Sequence, residues 1–167
     1  GVSYSSNVAL VPSTDGAVAF DGSGDYLSLA SSADFAFGTG DFTMEAFVYK
    51  SSADVDAAIF DLGAANTSGS FATFWSSGTL YVRIDGLGND LSTNDYVSDK
   101  WIHVAVARSG STLRLFVDGD LKASGTRSNN VTQSTPYIGR LNTFAYDFTG
   151  FISNLHVVKG TALYTAN

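Results

Sequence analysis

Residues 101–118 read WIHVAVARSGSTLRLFVD, and this stretch contains the clearest hairpin signal in the chain. Trp101 to Arg108 is rich in aromatic and β-branched residues, and Thr112 to Asp118 has an apolar side chain at every second position. A period of two places those side chains on one face of a strand. Ser109 to Ser111, with a central glycine, has the composition of a tight turn. The stretch therefore predicts two antiparallel strands joined by a short turn.

The same alternation recurs on both sides of this hairpin. Phe42 to Lys50 carries bulky side chains on both faces, which predicts a central strand. Only Gly160 to Tyr164 has the composition of a helical turn, and no repeat or low-complexity segment interrupts the pattern. The sequence thus predicts an all-β, antiparallel β-sandwich. Its eleven expected strands are Ala17–Phe20, Tyr26–Leu29, Phe42–Lys50, Ala57–Leu62, Phe71–Trp75, Leu80–Asp85, Trp101–Arg108, Thr112–Asp118, Leu121–Ser124, Tyr137–Gly139 and Phe151–Val158.

The composition of the acidic residues agrees with this strand-rich interpretation. The 167 residues include sixteen acids, of which only one, Glu45, is a glutamate. Glutamate favours helices, whereas aspartate hydrogen-bonds to nearby backbone and favours turns and caps. The seventeen glycines also indicate many turns. A chain of this length predicts one domain over residues 1–167, with residues 1–16 as a lead-in strand or linker.

Charge and cysteine content exclude several classes of function. The net charge is −7 with scattered basic residues, which disfavours nucleic-acid partners and anionic membranes. The chain has no cysteine, so disulfides and thiol chemistry are excluded. No apolar run is long enough to span a membrane, and the first residues do not resemble a signal peptide. Because the chain starts at Gly1 without a methionine, we expect it to be a domain of a longer protein. In one interpretation that longer protein is oligomeric.

Five segments resemble, in the same order, the laminin-G-like domains of the concanavalin A-like lectin/glucanase superfamily. They are VAFDGSGDYL at 18–27, GDFTMEAFV at 40–48, WIHVAVAR at 101–108, LRLFVDG at 113–119 and YIGR at 137–140. Residues 148–167 are also similar to the ends of such domains in bacteriophage tail and other virion proteins. The resemblance spans about residues 17–167 and implies a jelly roll of two curved antiparallel sheets. Members of this superfamily include lectins, pentraxins, adhesion modules and glucanases, so the site residues must decide the function.

The candidate catalytic residues do not match the catalytic pattern of the glucanases in this superfamily. Those enzymes present a Glu-x-Asp-x-x-Glu pattern on one strand, whereas Glu45 is followed by Ala46, Phe47 and Val48. We therefore expect Glu45 to hydrogen-bond within the sheet. His103 and His156 are interpreted as structural or surface residues, although a triad assembled by folding remains open. The prediction is a domain that is not an enzyme.

Sugar binding needs flat aromatic surface and polar partners for hydroxyl groups, and loops on a rigid scaffold usually supply both. The loop from Arg140 to Phe148 is the richest segment of this kind. For each aromatic residue taken alone, packing in the core is the stronger alternative. The predicted carbohydrate-binding residues are Trp75, Tyr81, Arg140, Asn142, Phe144, Tyr146 and Asp147.

Calcium is the only cofactor that the resemblance suggests. In laminin-G and pentraxin domains, the ligands come from two loops that match the positions of Asn66, Asn142 and Asp147. Calcium prefers carboxylate and carbonyl oxygens, and neutral amides replace most acids here. The expectation is a weak Ca²⁺ site at most. Two further acidic clusters, at Asp21 with Asp25 and at Asp85, are interpreted as turns held by aspartate side chains.

These observations predict a non-enzymatic, lectin-like module with a glycan ligand on a virion surface or extracellular protein. Its expected role is to attach a phage tail component to host-surface glycan, with avidity from repeated copies. The alternative is a structural or interaction domain of a virion assembly that binds no sugar. A third interpretation, a glycoside hydrolase, requires two carboxylates close together in a cleft.

Overall fold

Short alternating segments separated by glycine-rich turns form strands throughout the chain. The structure, a computed structural model, describes residues 16–51, 56–63, 66–86, 88, 91–95, 98–142 and 146–166. Twelve strands lie in these ranges. They are β1 (Val18–Asp21), β2 (Leu27–Ser28), β3 (Phe42–Lys50), β4 (Ala57–Leu62), β5 (Phe71–Ser76), β6 (Thr79–Ile84), β7 (Leu91–Thr93), β8 (Trp101–Ser109), β9 (Thr112–Val117), β10 (Asp120–Thr126), β11 (Pro136–Ile138) and β12 (Thr149–Lys159).

The strands form two six-stranded antiparallel sheets, which confirms the predicted sandwich. Sheet A has the order β1-β12-β3-β8-β9-β10, and sheet B has the order β2-β11-β4-β5-β6-β7. The predicted hairpin is β8 and β9, and β3 is central in sheet A as expected. The predicted lead-in segment 1–16 lies outside the described residues except for Gly16.

The hydrophobic core lies between the two sheets, because alternate residues of each strand point inward. A run such as Phe71-Ala-Thr-Phe-Trp sends residues 71, 73 and 75 to one face and residues 72 and 74 to the other. Large fully buried apolar side chains of this core include Phe42, Met44, Phe60, Leu62, Phe71, Trp75, Leu80 and Phe148. A second, smaller cluster lies on the outer face of sheet B.

Helical structure differs from the sequence-based expectation. A single 3-10 turn spans Ala33–Phe35 in the described ranges, and the Ser32 hydroxyl accepts from the Asp34 amide at 3.2 Å as its cap. The predicted helical turn at Gly160 to Tyr164 is wrong. Thr43 Oγ1 donates to the Thr161 carbonyl at 3.0 Å and accepts from the Leu163 amide at 2.9 Å. These bonds hold the segment, without helical structure, against the outer face of sheet A.

The described residues contain no helix that is long and apolar enough to cross a membrane.

Candidate functional site

The loop that follows β11 lies over the outer face of sheet B. Leu141 is buried there in one cluster with Ala58, Ala72 and Phe74, and Tyr146 packs against the same cluster. The Asn142 amide donates to Asp61 on β4 at 2.7 Å. Apolar packing and this hydrogen bond therefore fix the described ends of the loop on the sheet.

Arg140 and Asp147 form the ion pair that closes the loop. Arg140 Nε lies 2.6 Å from Asp147 Oδ1, and Nη2 lies 3.1 Å from Oδ2. Two parallel contacts of this kind are the strong, directional form of an arginine–carboxylate pair. Asp147 Oδ2 also accepts from the Gly24 amide at 3.0 Å, which ties the loop to the turn before β2. The Asp147 hydrogen bond raises the pKa of Arg140.

Beside this ion pair lies a group of partly exposed aromatic rings. The Arg140 guanidinium lies 4.7 Å from the centroid of the Tyr26 ring, within the range of a cation–π contact. The Tyr26 and Tyr137 rings are 6.0 Å apart. Tyr26 is 42% exposed, so its ring offers surface to a ligand. We call Tyr26, Tyr137 and Arg140 the tyrosine–arginine surface.

The predicted carbohydrate-binding residues fall into three groups. Trp75 is fully buried in the core and 6.4 Å from the Phe148 ring, so it presents no surface and its assignment is wrong. Tyr81 and Tyr146 are half-buried against Phe74, with ring centroids 5.7 and 6.0 Å away. Asn142 is exposed at the loop surface. Arg140 and Asp147 form the ion pair, and Phe144 lies outside the described residues.

Two of the three residues predicted to bind calcium are paired with arginine side chains in this arrangement. Asn66 Oδ1 accepts from the Arg83 guanidinium, and the Asp147 carboxylate accepts from Arg140. Each of these oxygens therefore already faces a positive charge, and a divalent ion would have to displace it. In the described part of the chain, no three acidic or histidine side chains are placed to hold a metal.

The other acidic clusters hold backbone rather than an ion. Asp21 Oδ1 accepts from the Ser23 amide at 2.8 Å, which is the expected aspartate turn. Asp85 accepts from the Ser68 hydroxyl at 2.8 Å and from the Gly69 amide at 2.6 Å. The Gly69 bond, together with the Ser68 bond, lowers the pKa of Asp85. Asp85 thus joins the loop after β6 to the loop before β5.

Asp61 is a buried acid beneath the described start of the loop. It is fully buried, and burial raises its pKa to about 7 although the Asn142 amide and the nearby Arg83 charge oppose that shift. Its Oδ1 atom has no hydrogen-bond partner among the described residues. A carboxylate in this position is costly when charged, because desolvation disfavours the ionised form.

Glu45 lies on the outer face of sheet A, where it joins three aromatic side chains. Its carboxylate lies 3.1 Å from His103 Nε2 on β8 and 3.1 Å from His156 Nδ1 on β12. The Tyr164 hydroxyl donates to the same group. The expectation that Glu45 hydrogen-bonds within the sheet is thus confirmed. Sequence reasoning missed Tyr164, because only the fixed segment after β12 brings it to the sheet.

The hydrogen bonds of this cluster determine its charge. Burial alone would raise the pKa of Glu45, but bonds from Tyr164, His156 and His103 outweigh burial and lower it. Glu45 is therefore ionised at neutral pH and can only accept, so both facing ring nitrogens donate. Burial and the bond to Glu45 raise the pKa of Tyr164 to about 12. The cluster carries an ionised acid, whereas a glycosidase proton donor must hold its proton near neutral pH.

Asp95, Asp118 and Asp120 line one cleft, and two of them share a lysine. Lys122 Nζ lies 2.9 Å from Asp95 Oδ2 and 3.4 Å from Asp120 Oδ2. The two acidic side chains are 65% and 79% exposed. Both acids are solvated and paired with one lysine, whereas a glycosidase needs one carboxyl group that is kept as a proton donor. This arrangement therefore does not favour a hydrolase.

Comparisons with known proteins agree with the fold. The laminin G family model of the concanavalin A-like lectin/glucanases superfamily matches residues 21–164. Mouse laminin alpha1 chain domains LG4-5 are similar with a TM-score of 0.66 and 18% identity, over 88% of this chain and 42% of that chain. A heptameric SAP-like pentraxin from Limulus polyphemus has a TM-score of 0.65 and 17% identity, over 83% and 73%. The chain therefore spans less than half of the laminin fragment.

A third similar structure is the CBM40 of Ruminococcus gnavus IT-sialidase bound to α2,3-sialyllactose. Its TM-score is 0.61 at 15% identity, over 84% of this chain and 91% of that chain. At this identity the likeness concerns the fold. A search of the curated protein sequences finds no match. Because the family model covers most of the chain and both sheets are antiparallel as expected, the chain belongs to the concanavalin A-like lectin/glucanase superfamily.

Proposed function

We propose that this domain is a non-catalytic, lectin-like module that binds glycan through the tyrosine–arginine surface. The observation that carries the proposal is the contact of Arg140 with Tyr26, fixed by Asp147 and next to Tyr137. An aromatic face held in place can stack on the C–H face of a sugar ring. Arg140 and the exposed Asn142 offer donors for its hydroxyl groups, with Asn142 also an acceptor.

Two further observations support this function. The ion pair with Asp147 neutralises much of the charge on Arg140, so hydroxyl groups rather than acidic groups suit the surface. A similar fold carries sugar in the CBM40 described with α2,3-sialyllactose. By the resemblance of residues 148–167, the larger protein would be a virion or extracellular protein that uses repeated copies to attach to host glycans.

The proposal is tested with a glycan array followed by titration calorimetry of the intact domain. We expect saturable binding, and a loss of about two- to tenfold in affinity for Tyr26→Ala and for Tyr137→Ala, since a stacked ring contributes about 0.5–1.5 kcal/mol. Leu163→Ala is the control, because this side chain is 49% exposed and lies on the segment over sheet A. Unchanged affinity in both tyrosine variants would rule out this surface. Titrations with added calcium and with chelator test the calcium prediction.

The second candidate function is a structural domain that packs against a neighbouring subunit. It is favoured by a small apolar groove of about 110 Å³ between the edge strands β1 and β2, lined by Val18, Leu27 and Ile138. Val18 and Leu27 are 43% and 44% exposed. Exposed apolar surface of this kind can mark an interaction site. A domain that binds no glycan on the array would leave this function as the better account.

A further inference from the structure

Three aromatic rings lie side by side on the outer face of sheet A, away from the tyrosine–arginine surface. The strand register pairs Phe151 with Tyr49 and Tyr49 with Trp101. The Tyr49 ring is 5.9 Å from each neighbour, and the Trp101 and Phe151 rings are 6.4 Å apart. Phe151 is 42% exposed, and the other two rings are partly exposed. The three rings contact one another and lie outside the core, so they form an aromatic surface on the outer face of the sheet.

The aromatic surface continues along the strands toward Glu45. Phe47 and His103 form the next pair, with ring centroids 4.9 Å apart, and the Glu45 cluster follows. Tyr49 and Glu45 are four residues apart on β3, which is about 13 Å along an extended strand. The outer face therefore presents aromatic surface at one end and a polar cluster at the other, over a length greater than one sugar ring.

The polar end is a cavity of about 550 Å³, lined by Glu45, Phe47, His103, His156 and Tyr164 among others. This volume is typical of small-molecule sites. None of its described lining residues is a lysine or arginine. Nε2 of His103 and Nδ1 of His156 face Glu45, so the other nitrogen of each ring points away from that carboxylate. His156 is 59% exposed and reachable from solvent.

We propose that the outer face of sheet A is a second saccharide site, which binds an uncharged oligosaccharide along the strands. Sugar rings stack on Trp101, Tyr49 and Phe151, while the far end places hydroxyl groups against Glu45 and the two histidines. The Glu45 carboxylate accepts hydrogen bonds from hydroxyl groups, and the second nitrogen of each histidine ring can be a further partner for a hydroxyl group. The Glu45 charge, with no lysine or arginine among the described lining residues, disfavours uronate, sulfate and sialate groups. The inference shares the ligand class of the proposed function and uses a different surface.

The test uses the intact domain and two panels of soluble oligosaccharides at neutral pH. The neutral panel contains hexaoses of the cello, malto, chito, xylo and manno series, and the acidic panel contains hyaluronan, heparin and polygalacturonate fragments. We expect saturable calorimetric binding of at least one neutral hexaose and none of the acidic fragments. Trp101→Ala and Phe151→Ala each reduce the affinity about tenfold. Phe151 is partly exposed, so we expect Phe151→Ala to fold. It therefore tests the site even if Trp101→Ala fails to fold.

Variants separate this inference from the proposed function. Glu45→Gln keeps the size of the side chain and removes the charge, so we expect it to admit acidic fragments that the parent domain rejects. Tyr26→Ala leaves binding at sheet A unchanged and weakens only binding at the tyrosine–arginine surface. Titration up to about 10 mM detects even millimolar dissociation constants. If no neutral hexaose binds in that range, the second site does not exist. The same conclusion follows if Phe151→Ala binds like the parent domain.

Discussion

Replacing Arg108 with leucine is expected to destabilise the domain by about 3–5 kcal/mol, since leucine cannot replace the hydrogen bonds of a charged donor, worth about 1.5–3 kcal/mol each, to the Gly40 and Asn129 carbonyls. Arg108 is fully buried, although arginine is rarely so. Nε and Nη2 donate to the Gly40 carbonyl at 2.9 and 2.7 Å, and Nη2 also donates to the Gly38 carbonyl at 2.7 Å. Nη1 donates to the Asn129 carbonyl at 2.7 Å. The guanidinium therefore holds two loops together at the end of the core.

The measurement is urea or thermal unfolding of the Arg108 variant beside the parent. A domain of this size loses about 2–4 °C in midpoint per kcal/mol, so we expect a drop of about 6–20 °C. Arg114→Leu is the matched control, because Arg114 is half-exposed on β9 and Nη1 makes a long hydrogen bond, 3.5 Å, to the Thr112 carbonyl. A midpoint for the Arg108 variant within the spread of the control would contradict this role.

The stability of the domain is expected to rise as the pH falls from 8 to 5. The pKa of Asp61 is about 7 in the folded chain, whereas its ordinary value, which applies to the unfolded chain, is 3.8. The folded state therefore binds the proton more tightly. Between those values, stability decreases as the pH rises, because the unfolded state carries fewer protons. The gain from pH 8 to pH 5 is about 2–3 kcal/mol at 1.36 kcal/mol per pKa unit. Glu45 and Asp85, whose pKa values are lowered, act in the opposite direction only below about pH 4.5.

Asp61→Asn is the variant that isolates this effect. Asparagine keeps an oxygen that can accept from the Asn142 amide and cannot ionise, so the pH dependence between 5 and 8 should disappear and stability at pH 8 should rise. Asp120→Asn, at a side chain that is 79% exposed, serves as the control and should keep the parent's dependence. The measurement is urea unfolding at a series of pH values. Equal slopes for parent and Asp61→Asn would show that Asp61 titrates as an ordinary acid.

The sheets could be predicted from the sequence because the information is local. Alternation in Trp101–Ser109 and Thr112–Val117 gave both strands, and turn residues such as Ser77-Gly78, with φ values of 50° and 79°, marked the hairpins. Strand β7, Leu91–Thr93, was missed because Leu91 is its only apolar residue, so the segment shows no alternation. Local period and turn chemistry were sufficient for the architecture and insufficient for this edge strand.

The site depended on contacts between distant residues, which the sequence does not contain. Arg140 and Asp147 were placed in one loop, as the structure has them. In the structure Arg140 pairs with Asp147, and Asp147 also accepts from the Gly24 amide. Tyr26 became part of the surface only because that loop lies over it. Trp75 could have been excluded, since its position two residues after Thr73 and four after Phe71 places it on the inward face of β5.

The most direct test of glycan binding is a titration followed by nuclear magnetic resonance of the isotope-labelled intact domain. The ligand is the best glycan from the array, added with and without calcium. We predict saturable shifts of backbone amides at Tyr26, Tyr137 and Arg140, with a separate set at Tyr49 and Trp101 when a neutral hexaose is added. A spectrum that no glycan changes, with or without calcium, would contradict the account that this domain is a carbohydrate-binding module.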